Sequence, residues 1–168
     1  MRVAITGRPG VGKTTACLKI YERLRGKKDI RGFVTREVRE KGVRVGFEIV
    51  ELTTNETYVL ARKGDGYPRV SKYRVFVENL EIVASRIAGY ANADLVILDE
   101  VGPMELKSRS FVDAVERLLD SHENLLLTVH YRSTHPLVLR IKREFEVVEL
   151  TPENRDRVVE EVLERLDS

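Results

Sequence analysis

Apolar positions along this chain follow two rhythms, and the switches between them outline the elements. A short apolar run at residues 2–6 predicts a strand. Residues 13–25 place Ala16, Cys17, Ile20 and Leu24 on one side of a helix. From 31 to 62 the period changes to two. "GFVTREV" and "VRVGFEIVEL" alternate around "REKG", which predicts a β-hairpin turning near Lys41-Gly42, extended by a strand in "ETYVLA". The charged, glycine-containing stretch 62–73 predicts a mobile loop. Residues 77–91 read as a helix with Leu80, Ala84, Ile87 and Ala91 inward.

Strands and helices then alternate. "ADLVILDE" carries the unbroken apolar run of a strand covered on both faces. A helix at about 108–120 turns Phe111, Val115, Leu118 and Leu119 inward, and "NLLLTVH" is the next strand. "STHPLVLRIKRE" predicts a short helix capped by Ser133 or Thr134, and "FEVVEL" a further strand. A last helix has Thr151 as N-cap, Pro152 at its first position, and Val158, Val159, Val162, Leu163 and Leu166 on one face. This order predicts one α/β domain over residues 1–168: a mainly parallel sheet with helices on both faces, and an antiparallel β-hairpin insert at about 31–62.

Composition narrows the setting. The 168 residues are 42% hydrophobic and 33% charged, as in a globular protein. With 29 basic and 27 acidic side chains the net charge is +2, too small to imply nucleic-acid or membrane binding from charge alone. Cys17 is the single cysteine, which excludes an internal disulfide and predicts a cytoplasmic location. The opening "MRVAITG" already reads as a strand, so no signal peptide is expected, and no apolar run reaches membrane-spanning length. The absence of glutamine and the abundance of Lys, Arg and Glu suit a thermophile.

Residues 7–14, "GRPGVGKT", match G-x-x-x-x-G-K-[ST] between a strand and an amphipathic helix, the context of a phosphate-binding loop. Gly7, Gly10 and Gly12 permit backbone angles and close approach that a side chain would block. The loop residues Arg8, Pro9 and Val11 lie between them, and the N–H groups of residues 10–14 are expected to face a polyphosphate. Lys13 is placed to bridge β- and γ-phosphates, and the Thr14 hydroxyl to hold Mg²⁺. Thr15 either touches the α-phosphate or faces neighbouring structure.

With that loop placed, the acids after "LVIL" acquire a purpose. Asp99 is expected beside the loop, on the Mg²⁺ shell and accepting from Thr14, and Glu100 beyond it as the base for an attacking water. Asp99-Glu100-Val101-Gly102 also fits the D-x-x-G switch of GTPases, but no Asn is followed by Lys to begin a guanine-reading motif. Thr128, ending the next strand, either bonds the water or γ-phosphate or is an ordinary strand threonine. Arg132 and Arg8 are rival charge stabilisers. Glu105 either orients this loop or caps the following helix, and His130 and His135 lack a third ligand for zinc.

"GRPGVGKTT", "GFVTREVREKGVRVGFEIVEL", "LVILDEVGPMEL" and "LLLTVH" together resemble the THEP-type nucleoside-triphosphatases, small P-loop NTPases with animal relatives known as cancer-related nucleoside-triphosphatases. The resemblance implies slow Mg²⁺-dependent hydrolysis of ATP, GTP and other nucleoside triphosphates to diphosphate and phosphate. It places nucleotide-binding stretches on Gly7–Thr14 and around Asp99–Leu106, with Pro103 where family members often carry a basic residue. Two other readings use the same residues. In a nucleoside or nucleotide kinase, Glu100 would activate a substrate hydroxyl, with Arg62, Lys63, Arg69 and Lys72 on a lid. In a nucleotide-gated RNA-binding module, the basic residues of 25–44 would meet RNA; the interleaved Asp29, Glu37 and Glu40 and the lack of an aromatic stacking pattern predict weak or no binding. Oligomeric state has no sequence signature here.

Overall fold

The computed structural model describes residues 1–167. Its elements run β1 (Arg2–Thr6), α1 (Lys13–Leu24), β2 (Ile30–Glu40), β3 (Val43–Glu51), β4 (Thr57–Lys63), β5 (Arg69–Val70), β6 (Tyr73–Val75), α2 (Val77–Ile87), β7 (Leu95–Val101), α3 (Arg109–Ser121), β8 (Leu125–Val129), α4 (Pro136–Glu144), β9 (Glu146–Glu149) and α5 (Arg155–Asp167). All strands join one nine-stranded sheet in the order β5-β6-β4-β3-β2-β7-β8-β1-β9. From β2 to β9 neighbouring strands are parallel, and from β2 outward to β5 they are antiparallel.

Alternation along the parallel strands feeds two cores. Val96, Leu98, Leu125, Leu127 and Val129 face the side covered by α2, α3 and α4, where Leu80, Phe111, Val115 and Val138 pack. Leu95, Ile97, Val3, Ile5 and Leu126 face the other side, under Ile20 of α1 and Val158 and Val162 of α5. Burial on both faces is why β7 and β8 read as continuous apolar runs.

The hairpin is not set apart from the sheet. β2 pairs with β7 in parallel over Ile30–Phe33, and from Phe33 onward it pairs with β3 antiparallel, so one strand carries both halves of the sheet. Gly32 marks the crowded end of that parallel pairing: a Cβ there would lie 1.8 Å from the Ile97 carbonyl oxygen, and its φ is +144°.

Several boundaries differ from the sequence reading, each for a local reason. The 62–73 segment carries β5 and leads into β6; β5 pairs with β6, and β6 with β4. α2 stops at Ile87 because i→i+3 bonds take over, Gly89 N–H to Arg86 O at 2.9 Å and Tyr90 N–H to Ile87 O at 3.0 Å. α4 starts at Pro136, and its cap is His135, whose Nδ1 accepts from Leu137 N–H at 3.1 Å, in place of Ser133 or Thr134. A residue before proline is held out of the helical region, so the helix cannot begin earlier. Thr151 and Asn154 bond reciprocally, Thr151 N–H to Asn154 Oδ1 at 2.7 Å and Asn154 N–H to Thr151 Oγ1 at 3.2 Å. That closed turn delays α5 to Arg155.

Gly32→Ala is expected to lower the unfolding free energy by about 3 kcal/mol, through overpacking and an unfavourable φ. Gly42→Ala, at a hairpin turn with φ +78° and nothing within 4 Å of the new Cβ, is expected to cost about 1 kcal/mol. Denaturant unfolding of both variants checks the ranking; equal costs would contradict the close approach of β2 to β7.

Candidate active site

β1 delivers the chain into the phosphate-loop sequence at the C-terminal edge of the parallel strands. Leu150 N–H donates to Thr6 O at 2.8 Å, and Val11 N–H to Arg8 O at 3.1 Å, which fixes the base and the bend of the loop. Gly12 then caps α1 at φ 108° and ψ 26°, a conformation open to glycine, with no side-chain cap. The amides of the first turn of α1 therefore stay free of side-chain partners at the positive end of the helix. Lys13 Nζ folds back and donates to Gly7 O at 2.9 Å.

The acids stand on an irregularity of β7. Leu98 pairs with Leu127 and Val101 with Val129, so β7 spends one residue more than β8 across Asp99 and Glu100. Such a bulge re-aims side chains. Asp99, 3% exposed, is held from three elements. Thr14 Oγ1 donates to its Oδ2 at 2.6 Å, Thr128 Oγ1 to its Oδ1 at 2.6 Å, and Thr35 N–H to Oδ2 at 3.3 Å. Thr35 Oγ1 donates to the Asp99 carbonyl at 2.8 Å. Burial pushes the Asp99 carboxyl above its ordinary range, against the bonds from Thr128, Thr14 and Thr35 and the charge of Lys13.

Glu100 lies next to it, folded over Gly102: a Cβ at position 102 would come within 2.2 Å of Glu100 Oε1, so any side chain there would displace this carboxylate. Burial, and then the charge of Asp99, raise Glu100, with Lys13 acting the other way. Glu105, 3% exposed at the start of a 3-10 turn (Glu105–Lys107), is raised well above the ordinary range by burial and then by Glu100. The cap of α3 is Ser108, whose Oγ accepts from Phe111 N–H at 3.1 Å, so Glu105 serves the acid cluster and not that helix.

These groups line a cleft of about 640 Å³ between the phosphate-loop region and the hairpin. Gly7, Pro9, Gly10, Gly12, Lys13, Thr14, Thr15, Asp99 and Glu100 all border it. Arg8 is exposed on the loop outside the lining, and Arg132 is exposed with its guanidinium 5.1 Å from the Tyr131 ring centre. Thr128 is buried behind Asp99. Val101 and Gly102 back Glu100 and are buried. Cys17 lies in the core under α1, its thiol raised by burial. Pro103, Met104 and Glu105 of the Asp99–Leu106 stretch also border the cleft, and the far wall adds residues that the sequence reading does not assign to the site: Thr35, Arg36 and Glu37 of β2, Arg44 and Phe47 of β3, Leu60, Val70, and His130 just after β8. "TRE" following the apolar "GFV" in β2 was the one signal that pointed there.

The donor set fits a magnesium ion. Asp99 and Thr14 offer hard oxygens within hydrogen-bond distance of each other, and Mg²⁺ characteristically takes one or two carboxylates together with substrate phosphates. Burial raises both Asp99 and Glu100 above the ordinary carboxylate range, and the charge of Lys13 acts against that rise in each. Among the described residues no group of His, Cys, Asp and Glu forms an all-protein metal cage. No helix among them is long and apolar enough to cross a membrane.

A family model described as NTPase matches residues 2–163. The nucleoside-triphosphatase THEP1 of Archaeoglobus fulgidus is 53% identical over 99% of this chain and 99% of its own length. That of Methanopyrus kandleri is 48% identical over 98% of this chain and 97% of its own. Among solved structures, the crystal structure of THEP1 from Aquifex aeolicus superposes with a TM-score of 0.87 at 38% identity, covering 100% of both chains. A human cancer-related nucleoside triphosphatase superposes at 0.81 and 31% identity, over 98% of this chain and 96% of that one.

Glu105 makes the cluster testable through stability. Its folded-state pKa lies above that of the unfolded chain, so between the two the folded state binds more protons. That contribution is present at low pH and is lost as pH rises through the window. Glu105→Gln removes it. The denaturation midpoint of this variant should gain on wild type as pH rises from the ordinary carboxylate range upward. Parallel pH profiles would contradict a buried, ionisable Glu105.

Proposed function

The chain belongs to the NTPase family whose model spans it and is a nucleoside-triphosphatase, and on that premise we propose that Glu100 is the base of Mg²⁺-dependent hydrolysis at this cleft. The observation that carries the reading is the bond from Thr14 to Asp99, which puts Glu100 at the phosphate-loop edge of the cleft.

The amides of residues 10–14 take the β- and γ-phosphates, and Lys13 Nζ turns from Gly7 O to bridge them. Thr14 and Asp99 would hold Mg²⁺, which supplies charge neutralisation at the β- and γ-oxygens. Thr128 and Thr35 keep the Asp99 carboxylate aimed at Thr14. Glu100 accepts a proton from a water whose oxygen forms a bond to the γ-phosphorus. The bond from that phosphorus to the β–γ bridging oxygen breaks, releasing nucleoside diphosphate and phosphate. Lys13 supplies the fixed positive charge, with Arg8 and Arg132 exposed beside the cleft outside its lining. Recognition rests on the phosphates and the chain has no N-K-x-D guanine reader, so ATP, GTP and other triphosphates are all substrates.

Charge pairing supports a small-molecule substrate over RNA. Arg25 pairs with Glu22, Arg31 with Asp29, Arg36 with Glu48, and Arg39 and Arg44 with Glu37, which neutralises much of the basic stretch.

Glu100→Gln is expected to lower phosphate release by about 100-fold or more while nucleotide binding persists. Lys13→Ala is expected to weaken binding and turnover together. Phosphate release and equilibrium nucleotide binding, measured across the common triphosphates, check both. Turnover near wild type in Glu100→Gln would remove the base from this assignment.

A further inference from the structure

Of the side chains that border the cleft, His130 carries the one imidazole, and its position follows from strand order. β8 lies between β7 and β1, and all three run parallel, so their C-terminal ends open on one edge. β7 ends in the acids, and β1 leads into the phosphate loop. A residue just beyond β8 therefore emerges between the two. Thr128 is level with Ile5, so His130, two residues on, comes out beside Gly7. Gly7 O is the acceptor that Lys13 Nζ holds at 2.9 Å, and the charge of Lys13 reaches the His130 ring.

Alternation sets the side on which the ring stands. Leu126 packs in the core beneath α1, and Thr128, two residues on, donates to Asp99. His130 continues that face, the one covered by α1 and its first residue, Lys13.

The two ring nitrogens are in different situations. Nδ1 accepts from Arg132 N–H at 3.3 Å, and Ser133 N–H donates to His130 O at 3.3 Å, so a tight turn holds the ring. An accepting Nδ1 leaves the proton of a neutral imidazole on Nε2. Burial, and then the charges of Lys13, Lys142 and Arg132, hold the ring below its ordinary pKa and favour that neutral form. Among the described residues no acceptor takes the Nε2 proton, and the ring borders the cleft.

We propose that His130 Nε2–H donates a hydrogen bond to an oxygen of the γ-phosphate, and that this bond lets the site tell a triphosphate from the diphosphate it releases. With the β- and γ-phosphates on the loop and Lys13, a premise taken from the function proposed above, the γ-phosphate lies between the loop and the acids, where His130 emerges. A donor aimed at a γ-oxygen holds that phosphate for attack and finds no partner in the diphosphate product.

Two substitutions separate the two nitrogens. In His130→Asn the side-chain oxygen still accepts from Arg132 N–H, but nothing replaces Nε2. In His130→Gln the amide N–H reaches the place of Nε2, and the turn loses its acceptor. His130→Asn is expected to lower kcat/KM for ATP with Mg²⁺ by about 10- to 100-fold, with ADP binding changed by less than about twofold. His130→Gln is expected to recover most of that loss. Turnover near wild type in His130→Asn, or His130→Gln no better than His130→Asn, overturns the donor. If either variant folds poorly, nitrogen NMR of the labelled histidines in the wild-type chain decides. The His130 Nε2 signal should move with Mg²⁺ and a non-hydrolysable ATP analogue, and stay in place with Mg²⁺ and ADP. Equal movement with both, or with neither, overturns the contact. The same spectra in Glu100→Gln keep the two assignments apart. Hydrolysis that survives in that variant removes Glu100 as the base, and His130 stands if its signal still follows the γ-phosphate. A signal blind to the γ-phosphate, in a variant that has lost hydrolysis, removes only His130.

Discussion

The bond network on Asp99 is the constraint from which the rest of the site follows. A carboxylate 3% exposed is costly to ionise, and here it is met by donors from α1, β2 and β8. Hydrogen bonds to a charged group contribute about 1.5–3 kcal/mol each, and losing one partner leaves the remaining charge under-compensated. The same bonds lock four pieces of chain together: the phosphate loop through Thr14, the hairpin strand through Thr35, the neighbouring strand through Thr128, and the end of β7 itself. Burial nevertheless raises the carboxyl above its ordinary range. The proposed Mg²⁺, delivered with the substrate phosphates, would add positive charge that favours its ionised form.

The remaining acids inherit their positions from that anchor. The extra residue that β7 spends at Asp99 and Glu100 turns the two carboxylates to different neighbours, and Gly102 vacates the volume that Glu100 fills. Glu105 closes the cluster from the 3-10 turn. Because β2 is tied to Asp99 at Thr35 and continues into the hairpin, the geometry of the acids also sets where the far wall of the cleft begins.

Much of this was legible in the sequence where one physical signal dominated. The phosphate loop combines a residue pattern with a strand before it and a helix after it. The apolar runs of β7 and β8 report a sheet covered on both faces. Elements were misplaced where a local bond competes with periodicity: His135 ahead of Pro136, and the Thr151–Asn154 turn ahead of α5. The site was read incompletely for a different reason. Thr35, Arg44 and Phe47 reach the cleft through strand pairing across the hairpin, which residue spacing does not encode. Thr128 reads from sequence either as a contact for the water or γ-phosphate or as an ordinary strand threonine, and the structure shows its hydroxyl donating to Asp99. Arg8, inside the phosphate loop, and Arg132, shortly after β8, are exposed beside the cleft, whose lining adds Arg36 and Arg44.

The central claim is that the Asp99 cluster is built to be completed by a magnesium ion carried with the nucleotide. The direct measurement is thermal unfolding with Mg²⁺, a non-hydrolysable triphosphate analogue, or both, for wild type and Asp99→Asn. The account predicts that in wild type the two together raise the transition far more than the sum of each alone, and that Asp99→Asn abolishes this excess. An analogue that stabilises wild type equally with and without Mg²⁺, or an excess that survives in Asp99→Asn, would contradict it.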